Sequence, residues 1–258
     1  MEEYILLSLN NKVSTITLNR PQALNAIDAT LLRQLNEALA VVSKDNSSNA
    51  LIITGGDSVF AAGADLKAFQ NYSTLQAHDY IDIARESLEA LYNFPKPTIA
   101  AINGLALGGG CEIAIACDFR IAASNSRFGL PEINLGLLPA GGGTQRLPQL
   151  VGVSKAKEMI YTGSVIDSKT ALSIGLVDRV VDPHEVYSEA QKMAERLADK
   201  PRIALKMIKE AIQTGLKVDL NISLLIEQEK FSLLFDTADS KEGIAAFLEK
   251  RQAVFNRE

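Results

Sequence analysis

Apolar and polar residues alternate through the first part of the chain and then change to helical spacing. In "MEEYILLSLNNKVSTITL", residues 1–18, the alternation predicts two strands that turn through residues 10–12. In "NAIDATLLRQLNEALAVVS", residues 25–43, leucine and alanine recur at helical spacing, and Asp28 is suited to cap the helix N-terminus. The chain therefore opens with a strand pair followed by an amphipathic helix.

Strands and helices continue to alternate up to about residue 184. Four apolar segments bounded by glycine, proline or polar residues are typical of buried strands: "ALIITGG", "KPTIAAING", "FRIAAS" and "LVDRVV". We expect helices over about residues 75–93 and from "GGGTQRLPQLVG" onward, whereas "RFGLPEINLGLLP" has no regular period. The order of these segments predicts an α/β core.

After about residue 184 the apolar residues follow helical spacing only. Four segments have this pattern: "EVYSEAQKMAERLADK", "RIALKMIKEAIQTG", "NISLLIEQEKFSLLF" and "KEGIAAFLEKRQAVF". We therefore expect a helical C-terminal unit beside the α/β core.

Length and charge narrow the class of protein. The chain has 258 residues, of which 47% are apolar, and can bury one sizeable core with a smaller appended unit. Its net charge of −5 offers no basic surface for nucleic acid. No apolar run approaches the ~20 residues of a membrane span, and the acidic, alternating N-terminus is unlike a signal peptide. We expect a cytoplasmic protein that binds neither nucleic acid nor a membrane.

The two cysteines, Cys111 and Cys117, lie six residues apart in an apolar segment. That spacing fits neither a disulfide framework nor a zinc site, so we expect buried free thiols in a reducing compartment and no metal. His78 and His184 lie outside the motifs below and are expected at the surface.

One carboxylate, Glu112, stands inside the apolar run of "LALGGGCEIAIACDFRIAA", and three glycines precede it. An ionised carboxylate out of water is costly unless it is paired or its pKa shifts. The glycines precede a helix start, where free N–H groups can stabilise this acid, a phosphate or an oxyanion. The segment lacks the Gly-Lys-Ser/Thr ending of a P-loop and the serine of a Gly-x-Ser-x-Gly elbow.

A second unpaired acid, Glu132, stands in "FGLPEINLGLLP" with no neighbouring cation. It either satisfies loop N–H groups or shares acid–base work with the first acid, since two carboxyls in different environments can divide those roles. A third segment, "FAAGADLKAF", keeps its side chains small, which suits close approach of a ligand to the backbone or a tight turn capped by Asp65.

Three segments in this order closely resemble the crotonase superfamily, specifically its enoyl-CoA hydratases: "FAAGADLK", "AINGLALGGGCEIAIACDFRIAA" and "RFGLPEINLGLLPAGGGTQRL". The likeness extends from "LNRPQALNAI" to "EGIAAFLEKR" and so covers nearly the whole chain. It implies an α/β fold, a crotonase-like superhelix of ββα units over residues 1–198, with a C-terminal helical trimerisation region over residues 199–258. A homotrimer or a homohexamer, as a dimer of trimers, is the implied assembly.

The resemblance also implies roles for four residues. Ala64 and Gly109 match the two residues whose backbone N–H groups form the family's oxyanion hole for the thioester carbonyl. Glu112 and Glu132 match the two catalytic glutamates, the first activating the water that attacks C3 and the second donating the proton to C2. No cofactor is implied, because coenzyme A is part of the enoyl-CoA substrate.

Further positions match residues that contact CoA in the family. On the main body of the chain they are Leu24, Ala62, Ala64, Leu66, Lys67 and Gly109; on the C-terminal helices they are Phe231, Phe247 and Lys250, which the resemblance implies come from a neighbouring subunit. The segment from 66 to 84 is expected to line or cover the pocket for the acyl tail.

One position departs from the family pattern. Hydratases usually have Pro-Gly-Ala-Gly-Gly-Thr-Gln where this chain has "PAGGGTQ", so Ala140 stands where a glycine N–H commonly supports the second glutamate. An alanine supplies that N–H without strain only at negative φ.

Hydration of a 2-trans-enoyl-CoA to a 3-hydroxyacyl-CoA is the implied reaction, in fatty-acid or aromatic-acid (phenylacetate-type) catabolism. A 3,2-enoyl-CoA isomerase is an alternative, although retention of both acids favours hydration. An RNA-binding or inactive crotonase-like protein is the alternative from another class. The first predicted helix has a single arginine and no lysine before Lys44, which disfavours RNA.

Overall fold

The predicted strand pair opens the fold: β1 (Ile5–Asn10) and β2 (Val13–Leu18) run antiparallel to each other. The computed structural model describes residues 2–10 and 12–255, so Asn11 in the predicted turn lies outside the described residues. On its other side, β2 pairs in parallel with the next strand of the main sheet, so β1 lies at the edge of that sheet.

The remaining strands and helices follow in chain order. The strands are β3 (Ala50–Thr54), β4 (Thr98–Ile102), β5 (Leu105–Leu107), β6 (Phe119–Ala123), β7 (Arg127–Gly129), β8 (Ile166–Asp167) and β9 (Arg179–Val181). The helices are α1 (Ala29–Lys44), α2 (Leu66–Phe69), α3 (Thr74–Tyr92), α4 (Gly109–Ala116), α5 (Gly143–Val151), α6 (Val153–Thr162), α7 (Ser168–Ser173), α8 (Val186–Ala198), α9 (Arg202–Gly215), α10 (Leu220–Leu234) and α11 (Ala238–Glu249).

The strands form two sheets. The main sheet has the order β1-β2-β3-β4-β6-β9, and every pair from β2 onward is parallel. The smaller sheet has the order β5-β7-β8, and a single parallel bridge from Ala61 to Ala106 continues it to the segment after β3. Successive turns of the chain therefore give one strand to each layer and then a helix, as in β4, β5 and α4. This confirms the predicted α/β fold built from ββα units.

Both faces of the main sheet are covered, which explains why every residue of β3 and β4 is buried. The larger apolar core lies under α1, α3 and α4, where Leu35, Leu88 and Ile113 pack toward the sheet. A smaller core on the opposite face packs alanines of α8, among them Ala190 and Ala194, against β3, β4 and β6. The Asp28 side chain accepts the Leu31 N–H at 2.8 Å and so caps α1 as predicted.

The C-terminal helices contact the core along one line and leave much apolar surface open. On α9, Lys209 pairs with Asp118 at 2.9 Å, and the Gln213 side chain donates to the Tyr92 carbonyl at 2.7 Å. By contrast, α10 has no buried residue, and Leu225 is 61% exposed. No helix among the described residues has both the length and the apolar character needed to cross a membrane.

Candidate active site

A cavity of about 370 Å³ opens between α3 and the first turn of α4. Its wall brings together Ala64, Gly109, Glu112 and Glu132, four residues singled out by the sequence. In the described part of the chain, the other residues that line it are uncharged. The segment from 66 to 84 lines one side, as predicted, through side chains of α2, α3 and the residues between them. Two acids thus share a largely apolar chamber.

Glu112 lies in the first turn of α4 and is only 5% exposed. Its Oε1 accepts the N–H of Gly143, the first residue of α5, at 2.8 Å, and the nearby Gly141 amide also lowers the pKa of the carboxyl. The N-termini of two helices therefore stabilise negative charge at this carboxyl. Burial nevertheless dominates and raises the pKa of Glu112 to about 7.

The turn that reaches Glu112 depends on glycine. A Cβ at Gly141 would lie 2.7 Å from the Glu112 Oε2, and one at Gly143 would lie 3.0 Å from Oε1. Between them, Gly142 has φ +106°, in the left-handed region that suits glycine. This segment therefore holds the first acid, whereas the family pattern led us to expect support for the second. Ala140, beside it, lies outside the left-handed region, so its alanine side chain introduces no backbone strain.

Glu132 reaches the cavity from a short 3-10 helix, Pro131–Leu135, which follows β7. The sequence predicted no regular structure there. Its Oε1 lies beside Gly108, at 3.0 Å from where a Cβ would stand, and its buried Oε2 has no hydrogen-bond partner among the described residues. Burial raises the pKa of Glu132, as it does for Glu112, whose pKa the Glu132 carboxylate raises further. Two such acids titrate as a pair.

Two main-chain amides complete this wall. A Cβ at Gly109 would lie 4.0 Å from the Ala64 nitrogen, so the two backbones run close together. The neighbouring amides are occupied: the Asp65 N–H donates to the Ile27 carbonyl, and the Gly108 N–H donates to the Gly129 carbonyl. The N–H groups of Ala64 and Gly109 have no main-chain acceptor among the described residues. Both are therefore available to a ligand oxygen.

The positions matched to CoA fall into two groups. The Ala62 N–H donates to the Leu24 carbonyl at 3.0 Å, and Leu24 and Leu66 are both about half exposed, so these residues form a surface leading to Ala64. Lys67 follows in α2 with its side chain exposed. The second group, Phe231, Phe247 and Lys250, does not line the cavity within this chain; the two phenylalanines are 63% and 84% exposed.

Sequence reasoning missed the contacts behind the Ala64 segment. The guanidinium of Arg20 pairs with Asp28 at 3.3 Å and with Asp65 at 3.1 Å, and it is 11% exposed. The Tyr80 hydroxyl donates to the Ile27 carbonyl at 3.1 Å, which also accepts the Asp65 N–H. The sequence predicted Asp28 as a helix cap and offered Asp65 as the cap of a tight turn, but nothing in it indicates the cation between them.

The sequence matches the family described as Enoyl-CoA hydratase/isomerase over residues 8–258. It is 45% identical to the crotonyl-CoA hydratase of Syntrophomonas wolfei, and the match covers 98% of both chains. It is 41% identical to the short-chain-enoyl-CoA hydratase of Clostridium acetobutylicum, over 96% of this chain and 95% of that protein.

The fold is similar to that of solved enoyl-CoA hydratases. The enzyme from Bacillus anthracis superimposes with a TM-score of 0.95 and 40% sequence identity, covering 99% of this chain and 100% of the other. One from Geobacillus kaustophilus gives a TM-score of 0.95 at 38% identity, covering 99% of each chain.

Proposed function

The chain belongs to the enoyl-CoA hydratase/isomerase family, and we propose that it adds water across the C2=C3 double bond of a 2-trans-enoyl-CoA to give a 3-hydroxyacyl-CoA. One observation carries the proposal. Two carboxyls, the buried Glu112 and the half-buried Glu132, face one apolar cavity beside two amides that are available to a ligand oxygen. The presence of two acids favours hydration over isomerisation, because isomerisation needs only one acid.

The amides of Ala64 and Gly109 would receive the thioester oxygen. Charge that develops there during addition is stabilised by main-chain dipoles already in place, in a largely apolar site. Because the donors belong to the backbone, no side-chain rotation is needed to align them. Their role is thus to make the enoyl group electrophilic at C3.

Water addition then needs one base and one acid. Glu112 takes a proton from water as the oxygen bonds to C3 and the double-bond electrons move toward the thioester oxygen. Collapse of that enolate takes the proton of Glu132 to C2, and the pair retains one proton in total. The raised pKa values of both acids fit this demand, because a pair near neutral pH can hold one proton and one negative charge.

The acyl group that suits this cavity is short and uncharged. Apart from the two acids, the described residues that line it carry no charge, so a dicarboxylic acyl chain would lose hydration and meet like charge. The two relatives above are named for crotonyl-CoA and short-chain enoyl-CoA. We therefore favour fatty-acid over phenylacetate-type catabolism. A cytoplasmic location is in keeping with two free, buried thiols.

We propose that the enzyme assembles as a trimer, or as a hexamer of two trimers. Exposed apolar residues on α9, α10 and α11 support an assembly in which these helices are covered. Phe231, Phe247 and Lys250 would then complete the CoA site of a neighbouring subunit, with Leu24, Ala62, Leu66 and Lys67 binding CoA within the chain.

The first test is hydration of crotonyl-CoA, followed by loss of the ultraviolet absorbance of the conjugated thioester. We expect rapid loss with 3-hydroxybutyryl-CoA as the product. A folded protein that leaves crotonyl-CoA and longer 2-enoyl-CoAs unchanged, but moves the double bond of a 3-enoyl-CoA, would be an isomerase.

The same assay tests the two acids. Glu112→Gln and Glu132→Gln should each lower kcat by about 10²–10⁴-fold, because each removes one partner of the proton exchange. Glu158→Gln, an exposed glutamate paired with Lys155, serves as the control and should retain activity. Turnover like that of the wild type in either active-site variant would remove that residue from the mechanism.

A further inference from the structure

The glycine turn at Glu112 is itself held by Arg146 of α5. The Arg146 Nη1 donates to the Gly141 carbonyl at 2.9 Å, and Nη2 donates to the Leu88 carbonyl of α3 at 3.5 Å. The guanidinium also lies 4.7 Å from the centre of the Tyr92 ring. One side chain thus links α3, α5 and the turn that supplies amides to the first acid.

Gly142 lies directly against the guanidinium of Arg146. A Cβ at Gly142 would lie 2.3 Å from the Arg146 Nη1, and the Arg146 N–H donates to the Gly142 carbonyl at 2.8 Å. The guanidinium therefore occupies the space that a side chain at position 142 would need. Displacement of the guanidinium would release the Gly141 carbonyl and, with it, the amides at Glu112.

Arg146 also acts on Glu112 through its charge. The titratable groups that act on or respond to the Glu112 carboxyl are Glu132, Arg146, Tyr80 of α3 and Cys111 of α4. Arg146 is the cation in this set, and it lowers the pKa of Glu112, whereas burial and the Glu132 carboxylate raise it. The surroundings of Arg146 itself include Glu89 and Tyr92, which favour its charged form.

We propose that Arg146 is a positioning residue for hydration: it fixes the 141–143 turn so that the amides of this turn face the Glu112 carboxyl. This rests on the proposed role of Glu112. Arg146 makes no hydrogen bond to either glutamate among the described residues, so it acts through the turn and through the field of its charge.

Three variants separate these effects. Arg146→Met removes both the charge and the tether, Arg146→Lys keeps the charge but loses the planar fork, and Lys217→Met removes a different cation from the same ring. Lys217 is exposed, lies 5.6 Å from the Tyr92 ring centre and makes no hydrogen bond to the turn among the described residues, so Lys217→Met is the matched control.

We expect Arg146→Met to lower kcat for crotonyl-CoA by about ten- to a hundredfold, with KM within about threefold of the wild-type value, because a misplaced base weakens chemistry more than binding. The acid limb of the pH profile should move to higher pH by roughly half a unit to one unit. Arg146→Lys should lower kcat and move that limb in the same direction but by less than Arg146→Met does, because the cation remains, and Lys217→Met should change neither kcat nor the limb.

A second measurement does not depend on turnover. Infrared difference spectra across pH report the protonated carboxyl of Glu112, identified by its loss in Glu112→Gln. Its titration midpoint should rise in Arg146→Met, and this result holds even if the wild-type protein hydrates no enoyl-CoA and the proposed function is wrong.

Unchanged kcat and an unchanged midpoint in a folded Arg146→Met protein would overturn the proposal. If that variant does not fold, Tyr92→Leu removes the ring that holds the guanidinium and leaves the charge. Wild-type kcat in both Tyr92→Leu and Arg146→Lys would then overturn the tethering role.

Discussion

Glu112 lies near the N-termini of two helices. It belongs to the first turn of α4, and its carboxyl reaches the N-terminus of α5. The sequence indicated the first position, because glycines and a helix start precede the acid. It could not indicate the second, since the Gly143 amide that donates to Glu112 comes from 31 residues further along the chain. The motif thus predicted an unusual acid, and the fold supplies the amides that hold it.

Burial of Glu112 lowers the stability of the folded state at neutral pH. The pKa of Glu112 lies near 7 in the folded chain against an ordinary value of 4.5, so the folded state binds this proton more tightly than the unfolded state does. Its contribution to stability is therefore fully present below about pH 4.5 and is lost as the pH rises through 7.

Glu112→Gln should remove that pH dependence. Glutamine does not ionise and can still accept the Gly143 N–H, so we expect the variant to be more stable than the wild type above pH 7, by up to about 3 kcal/mol. The difference should shrink toward zero near pH 4.5. Melting temperatures of both proteins, followed by circular dichroism between pH 5 and 9, test this. Equal melting temperatures at pH 8 would show that burial does not penalise the carboxylate.

The two cysteines show how burial changes the chemistry of a thiol. Cys111 and Cys117 are free and almost completely buried, and burial raises the pKa of each thiol to about 12. Since the thiolate is the reactive form, neither should react with a thiol reagent in the native protein, and both should react after denaturation. Prompt reaction of one thiol in native protein would reveal that α4 opens.

Segments that are distant in the chain meet at Arg20. Arg20 follows β2, and Asp28 caps α1. Asp65, which is 45 residues from Arg20, caps α2 just after Ala64. The pattern of apolar residues predicted the main strands and helices, because each has a period long enough to detect. It missed β5, β7 and β8, which have three residues or fewer, and it contains no information about this three-way contact.

Arg20→Met should therefore destabilise the fold and weaken catalysis together. The loss leaves two largely buried carboxylates without their cation, which typically costs about 3 kcal/mol. It also frees the segment that carries the Ala64 amide. Lys12→Met is the matched control, because Lys12 pairs with Asp199 at an exposed site and should change stability by less than about 1 kcal/mol. Thermal melts and crotonyl-CoA assays of both variants provide the comparison.

The single chain and the proposed assembly differ in whether the C-terminal helices are covered. Sequence periodicity predicted these helices, but apolar residues such as Leu225 remain exposed on them. A single chain offers no partner surface, so the trimer implied by the resemblance stays a prediction.

Leu225→Lys tests that assembly. A charge at this exposed apolar position of α10 should convert the trimer or hexamer into smaller species in sedimentation velocity, and it should raise KM for CoA esters if a neighbouring subunit completes the site. Glu227→Lys adds the same cation to the same helix at an exposed polar position two residues from Leu225, on the opposite face, and should leave the assembly intact. A wild-type protein that sediments as a monomer would refute the assembly.

The amides of Ala64 and Gly109 differ from the two acids in one respect: they belong to the main chain and not to side chains. Proline, which lacks an N–H, is the one replacement that deletes such an amide, whereas any substitution at either glutamate removes or displaces its carboxyl. Substitution of the acids can thus alter the chemistry while both proposed donors to a thioester oxygen remain. This chain should therefore serve as a starting point for new reactions of acyl thioesters, with positions 112 and 132 as the first to randomise.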